Sequence, residues 1–579
     1  MSSRHLIGLV QLLALGAAAA LRGCNANLCR SIPGDSSWPT RSEWDSLNQS
    51  VSGKLIATIP IAAPCHATAA VSGQSNLSSL FNEDACEVLR STWFFPETHL
   101  PSASSPMAYQ FTNNSCNPFL DPDTSCTLGY HVAYTINATE VSDIQAAIRF
   151  VQKHNIRLVI RNTGHCYLGK STGAHALAIW TRHIKSLDLV EEYSGTNYTG
   201  PAIKIGAGVE GLEAYEFAHS HGLMIVGGNA PTVGLAGGFT QGGGIGLLSS
   251  KFGLSADQVL EWEVVTGTGK FVTASAQENP DLFWALRGGG GSTYGVVVSM
   301  TVKAFPETSI SAAYMTVIKN GTNEDALYSS LGTFLQSLPE LVDAGAWVVF
   351  VATPQVFLIM PAMAPGLHPT ELDGYLQPFM DKMDQAGLVY DYSSAEYPDF
   401  LAGYRHNSAT STWNVSDNNL GGRLIPRELV NDNSSTEALV EAIRYISSET
   451  IMSGVAFNVA NGVASADDVA VNPYFRKTLF SATLGTAIDY TNFDLNKAAQ
   501  DKLTYDLVPK LKALTPNGAA YLNEADFQEP DFQTTFYGDH YAKLLSIKQT
   551  YDPQDIFYAR TAVGSDRWQE GQDGRLCKK

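Results

Sequence analysis

The chain has 579 residues, 44% of them hydrophobic and 10% aromatic. That is room for more than one core, because a single domain seldom grows past ~250 residues. A formal net charge of −19 excludes nucleic acid and anionic membrane as partners, since both select for a basic surface.

At the N-terminus, Arg4 and His5 precede an apolar run from Leu6 that ends in small residues, with Ala18-x-Ala20 as a cleavage pattern. This predicts a signal peptide over 1–20 and a secreted chain. No other stretch reaches the length of a membrane span. Asn-x-Ser/Thr sequons at Asn48, Asn76, Asn113, Asn137, Asn197, Asn320, Asn414 and Asn433 fit the same route and mark candidate N-glycan sites. The cysteines (24, 29, 65, 86, 116, 126, 166, 577) concentrate ahead of the glycine-rich region and show no zinc spacing. Disulfides are expected instead, with Cys65–Cys86 and Cys116–Cys126 as the local pairs. Residues 21–125, rich in Ser, Pro and Asn, read as a disulfide-tied N-terminal region.

From 139 the pattern sharpens. Ile144, Ala147, Ile148 and Val151 recur at helical spacing, with Ser142 as candidate N-cap. A strand over 156–160 then leads into "GHCYLGKS" at 164–171, which fits the P-loop pattern letter for letter. A P-loop needs its GK[ST] to open a helix, whose free N–H groups receive the phosphates. Here "GAHALAIWT" follows, with apolar residues alternating through Ala176, Ala178 and Trp180, which is strand spacing. No strand ends in a Walker-B aspartate, and a secreted chain meets little ATP. An ATPase is set aside. "GAGVEG" at 206–211 is a G-x-G-x-x-G between strand-like and helix-like stretches, but the region ~20 residues on carries no acid for a ribose. It reads as a tight turn.

The densest glycine stretch is 227–246, "GGNAPTVGLAGGFTQGGGIG". Glycine permits positive φ and close backbone approach, so successive N–H groups can surround an anion. "DQVLEWEVVTGTGKFVTAS" predicts strand, turn at 267–269 and strand; "DLFWALRGGGGSTYGVVVSMTVKAF" predicts a helix, a third glycine cluster and a buried strand. Three glycine loops on an α+β frame point to a large, flat cofactor carrying phosphates. From 308 to 510 the clusters vanish, and strands alternate with helices in a second α+β domain.

The loop "RNTGHCYLGKSTG", the run from "GGNAPTVG" to "GTGK", the segment "DLFWALRGGGGSTYGVV" and the tail "YLNEAD…YDPQDIFY" together, and in that order, resemble secreted fungal FAD-linked oxidases. These form the berberine-bridge-enzyme-like branch of the vanillyl-alcohol oxidase superfamily. The resemblance implies an α+β fold: a two-lobed PCMH-type FAD-binding domain at 126–307, an α+β substrate domain with an antiparallel sheet at 308–510, and a C-terminal segment at 511–579 returning to the flavin. It implies FAD joined through its 8α carbon to His165, whose neutral imidazole is nucleophilic; the bond would raise the flavin's potential. Arg161, Thr163, Gly164, Gly169, Ser171, Thr172 and Gly173 match cofactor-lining positions around that histidine. Gly228, Pro231, Thr232, Val233, Gly237, Gly238, Gly242, Gly243, Gly246, Val265, Gly295 and Val296 match others.

The chain also departs from the family. Cys166 stands where many relatives carry Asp, and a thiol orients imidazole weakly. Ala230 stands where many carry a Cys that bonds flavin C6, so attachment is expected through His165 alone; Cys166 lies on the wrong loop to substitute. Val233, beside the oxygen-reactive face, is compatible with O2 as acceptor. The family's Tyr-x-Asn-Tyr reads Tyr521-Leu522-Asn523-Glu524 here. Tyr521 and Asn523 are expected near the flavin, and Glu524 is either the base, its pKa raised by a dry pocket, or a carboxylate that only organises the segment. The activity implied is hydride removal from an alcohol, a lactol or a secondary-metabolite C–H, with no metal. Biosynthesis is favoured by analogy. A carbohydrate oxidase, a flavin-containing cyclase or isomerase without net redox, and a binding protein that retains FAD remain alternatives.

Overall fold

The computed structural model describes residues 29–70, 80–321, 323–409, 414–460, 462–463 and 465–579. The expected signal peptide, Cys24 and the sequon at Asn76 lie outside the described residues. Three β-sheets organise the rest. The first contains β1 (Leu55–Ala57), β2 (Tyr134–Asn137), β3 (Leu158–Arg161) and β4 (Leu177–Trp180), in the order β1-β2-β4-β3. Strand β4 runs parallel to both β2 and β3. Parallel neighbours cannot be joined by a tight hairpin, so the chain from β3 to β4 crosses over as the long loop 162–176. No helix opens after Lys170, and the strand reading of "GAHALAIWT" holds.

Helix α1 (Val141–His154) buries Ile144, Ala147, Ile148 and Val151, as their spacing predicts. It starts ahead of Ser142, which therefore lies inside the helix. The residue fastening this N-terminus is Asp143, whose Oδ2 accepts from the N–H groups of Thr139 (3.0 Å) and Glu140 (3.3 Å).

The second sheet is antiparallel: β5 (Leu187–Gly195), β6 (Tyr198–Gly206), β7 (Val259–Thr266), β8 (Phe271–Ser275) and β9 (Gly295–Lys303), in the order β8-β7-β9-β6-β5. Helix α2 (Gly211–Ser220) follows the "GAGVEG" turn. Val265 and Val296 pair across β7 and β9 and share one core with Ile136 of the first sheet and Ile144 and Ile148 of α1, which unites the two lobes.

The third sheet has seven antiparallel strands: β10 (Ile310–Ile318), β11 (Trp347–Ala352), β12 (Val356–Pro365), β13 (Asp391–Tyr397), β14 (Asn418–Pro426), β15 (Ile451–Ala456) and β16 (Thr478–Ala487). Their order is β13-β10-β12-β11-β15-β16-β14. Alternate residues serve different cores, because successive side chains point to opposite faces. Val348 and Phe350 pack with helices α3 (Glu324–Asp343), α4 (Pro369–Gln385) and α5 (Asn433–Glu449). Trp347 and Val349 join the core that contains the glycine-rich segment. The C-terminal stretch then runs back beside β14, where Leu424 N–H donates to the Ala519 carbonyl at 2.8 Å.

Disulfides join Cys65–Cys86 and Cys116–Cys126, as expected, and Cys166 is free. A third, unanticipated, joins Cys29 to Cys577 across 548 residues. Among the described residues no helix is long and apolar enough to cross a membrane. Because the Cys29–Cys577 bond closes so long a loop, Cys29→Ser/Cys577→Ser is expected to lower stability by about 2–4 kcal/mol. Thermal melts should show the loss, and amide exchange should quicken first near residues 29–35 and 568–578. Unchanged melts would mean that the strand contacts alone hold the two ends.

Candidate functional site

Three glycine-bearing loops meet where the lobes face the third sheet. Gly234 N–H donates to Thr163 Oγ1 at 3.3 Å, tying the loop 162–176 to the segment 227–246. Gly288 and Gly290 N–H groups both donate to the Gln241 carbonyl (3.1 and 2.9 Å), tying in the loop that precedes β9.

On the first loop, Gly164 turns at φ +95°, with the Arg161 guanidinium beneath it. Arg161 is wholly buried, donates to the carbonyls of Ser105 and of His99 (3.2 Å), and has no ion-pair partner among the described residues. Burial lowers it to about 9. Burial, helped by His99 and the Arg161 charge, pushes His165 down to about 3, so its imidazole is neutral at ordinary pH. His165 Nε2 lies 2.7 Å from Thr232 Oγ1, while Nδ1 bonds to no described group. The other expected cofactor residues of this loop pack among protein groups. Thr172 Oγ1 donates to the Tyr130 carbonyl, Gly169 is pressed against Phe111, and Gly173 against Arg157. Ser171 is buried.

The second loop is held by two tyrosines that sequence reasoning missed. Tyr215 Oη–H donates to the Gly228 carbonyl (2.6 Å), and Tyr404 Oη–H to the Asn229 carbonyl (2.9 Å). Pro231 and Val233 are half-buried. A Cβ on Gly237 would lie 3.2 Å from Asn162, on Gly246 1.9 Å from the Gly227 carbonyl, and on Gly242 2.3 Å from Asn523 Oδ1. Gly243 holds φ +117°. Gly238 differs: nothing lies within 4 Å of its Cβ position, and it is exposed in the middle of the fold. At the third loop, Gly295 packs on Val264, and Val265 and Val296 lie in the core behind the site.

From the C-terminal segment, Asn523 Nδ2 donates to Tyr521 Oη (2.8 Å) and to the Phe239 carbonyl (3.1 Å). Tyr521 is buried against Phe475, and burial pushes its hydroxyl well up. Glu524 Oε2 accepts from Thr483 Oγ1 of β16 at 3.4 Å, and burial raises its carboxyl to about 7. Tyr167, two residues beyond His165, is raised by burial and further by the charge of Glu524. Sequence reasoning passed over it as well; its only signal was its place on the histidine loop. The first loop and the C-terminal segment therefore border one cleft.

That cleft suits a flavin dinucleotide. It has open space over Gly238, an imidazole nitrogen without a protein partner, and a buried Asn229 Oδ1 that is likewise unpaired. The comparisons agree. Residues 132–275 match the FAD binding domain family, and 520–564 the berberine and berberine-like family. The chain is 42% identical over 560 residues to the FAD-linked oxidoreductase ZEB1 of Gibberella zeae, covering 95% of each chain. It is 41% identical over 561 residues to the FAD-linked oxidoreductase patO of Aspergillus clavatus, covering 96% of this chain and 95% of that one. The crystal structure of the VAO-type flavoprotein MtVAO615 from Myceliophthora thermophila C1 matches with a TM-score of 0.89 at 36% identity, over 95% of this chain and 100% of that one. Fold and site thus define a flavoprotein of the vanillyl-alcohol oxidase type. The chain belongs to the FAD-linked oxidoreductases of the berberine-like family.

Gly242→Ala would push Asn523 off Tyr521 and the Phe239 carbonyl. The expected loss is about 1–3 kcal/mol of transition-state stabilisation, or roughly 5- to 150-fold in kcat/KM, with circular dichroism unchanged. Wild-type kinetics would show that the Asn523 position is immaterial.

Proposed function

We propose that this oxidoreductase is a secreted oxidase that takes a hydride from an alcohol, lactol or secondary-metabolite carbon, with FAD held by a single covalent bond to His165. The observation that carries the reading is a neutral histidine with one free nitrogen, two residues from Tyr167, which feels the charge of Glu524, a carboxyl titrating near neutrality. When bound, FAD supplies the two-electron acceptor and passes its electrons to dioxygen.

The chain's own residues account for the rest. In the tautomer whose Nε2–H donates to Thr232 Oγ1, the lone pair of His165 sits on Nδ1, the nitrogen with no protein partner among the described residues. The buried Arg161 charge opposes protonation of the ring and keeps it nucleophilic. Ala230 offers no second nucleophile. Glu524, divided between acid and carboxylate near pH 7, takes the O–H or N–H proton of the substrate. Tyr521 and Asn523 hold that segment against the glycine loop, and Thr483 of β16 steadies the carboxylate. A biosynthetic scaffold as substrate follows by analogy with the family alone. Three disulfides, and exposed sequons at Asn113, Asn197, Asn320, Asn414 and Asn433, support the secretory route and glycosylation.

Acid-precipitated wild-type protein should keep its yellow colour, while His165→Ala should release it to the supernatant. Thr232→Val should slow attachment without moving its site. Colour remaining on the His165→Ala pellet would refute the attachment.

For Glu524 the direction with pH is definite. Activity should rise through about pH 7 as the base ionises. Stability should fall between about pH 4.5 and pH 7, because the folded pKa is raised and the unfolded chain ionises first. Glu524→Gln should flatten both curves; a surviving activity limb near 7 would assign the base elsewhere. Anaerobic substrate should bleach the flavin band near 450 nm. Product formed without bleaching would favour cyclisation over oxidation.

A further inference from the structure

Lys170 closes the P-loop-like octet and has no place in the site described so far. Its ammonium has no hydrogen-bond or carboxylate partner among the described residues. Only its backbone N–H is engaged, with Cys166 Sγ at 3.4 Å. Lys170 is half-buried, whereas the two buried lysines among the described residues are satisfied. Lys548 bonds to Asp552 (2.8 Å) and to the Phe557 and Thr293 carbonyls, and Lys319 to Tyr328 Oη and the Thr353 carbonyl. Burial also lowers the Lys170 pKa. A half-buried cation without a partner is partly stripped of its water, and an anion completes it.

The position identifies the anion. Lys170 Nζ lies 3.9 Å from the Cβ position of Gly290, which has φ +90° and whose other near neighbours are Tyr537 Oη and Leu522. The next residue, Gly291, places its own Cβ position 3.1 Å from Gly238 Cα. Gly238 is the glycine with open space above it. The ammonium therefore reaches from the first loop to the meeting point of the second and third. A thiol at Cys166 is uncharged unless it deprotonates, and no carboxylate pairs with the lysine. Oxidised FAD carries its fixed negative charge on the pyrophosphate alone, and a lysine is a point charge that a phosphate oxyanion selects.

We propose that Lys170 is the counter-charge of the FAD pyrophosphate, making the octet a phosphate loop in chemistry as well as in letters. The proposal rests on FAD binding and not on the covalent bond.

The test separates phosphate from ring. Full-length His165→Ala protein, stripped of flavin, is titrated with FAD and with riboflavin by fluorescence quenching. Adding Lys170→Met should weaken FAD binding about 30- to 150-fold and steepen no other loss; riboflavin, which has no phosphate, should change by less than about 3-fold. Lys170→Arg should recover most of the FAD affinity. Riboflavin binding doubles as the check that the variant is folded. Equal losses for the two ligands, or no loss for FAD, would overturn the proposal. In the holoenzyme the pyrophosphate 31P resonances should shift in Lys170→Met, and unshifted resonances would also overturn it. If His165 proves not to carry the flavin, the wild-type chain can be stripped and titrated in the same way, so the two proposals fail separately.

Discussion

The side chain of Asn523 occupies the space that a Cβ on Gly242 would need, and the rest of the site depends on that close approach. Similar contacts recur along the segment. Asn162 Oδ1 fills the Cβ position of Gly234, and the Gly227 carbonyl that of Gly246. At these positions glycine is required by packing and not by φ, because neighbours from the first loop, the C-terminal segment and the segment itself already stand there. The connection between β15 and β16 presses on the same strip: Val471 packs beside Gly243 and Gly288, and Arg476 makes a paired salt bridge to the fully buried Asp257. A strip this flat can be the wall of a cofactor cleft and the joint between domains at once.

Burial at that joint acts on the two candidate reactive groups in opposite directions. Burial disfavours charge, so it lowers an imidazole and raises a carboxyl. His165 falls to about 3 and Glu524 rises to about 7. The first change leaves a nucleophile free of its proton, and the second a base that ionises near neutrality. Arg161 strengthens the first effect because its charge is neutralised by no acid; two carbonyls of the N-terminal region hold it instead. The disulfide-tied lead-in thus bears on the site electrostatically, through the carbonyls of His99 and Ser105.

Local periodicity made most of the frame legible. The α1 face, the strand after the octet and the hairpin at 267–269 appear where spacing places them, and both short-range disulfides join cysteines close in sequence. The misreadings share a cause. Cys29–Cys577, Tyr404 to Asn229 and Tyr167 beside Glu524 depend on residues brought together from far along the chain, where no spacing reports them. Val265 and Val296, which match cofactor-lining positions by motif, pair across β7 and β9 in the core that joins the lobes. Ser142 looked like a cap because it is the right residue type; Asp143, one position on, supplies the acceptor.

The octet shows how one string of letters can sit in two architectures. In a strand–loop–helix unit the phosphates would meet the free N–H groups and dipole of the helix that GK[ST] opens. Here β3 and β4 are parallel neighbours in one sheet, so the loop must cross over to a strand, and that helix terminus does not exist. Its donors have to come from elsewhere, and in the two other glycine loops the N–H groups of Gly234, Gly288 and Gly290 are already given to protein acceptors. Those loops carry no cation that reaches Gly290, whereas the first loop does. A lysine kept without a protein partner at that meeting point is what the geometry demands once the helix is gone.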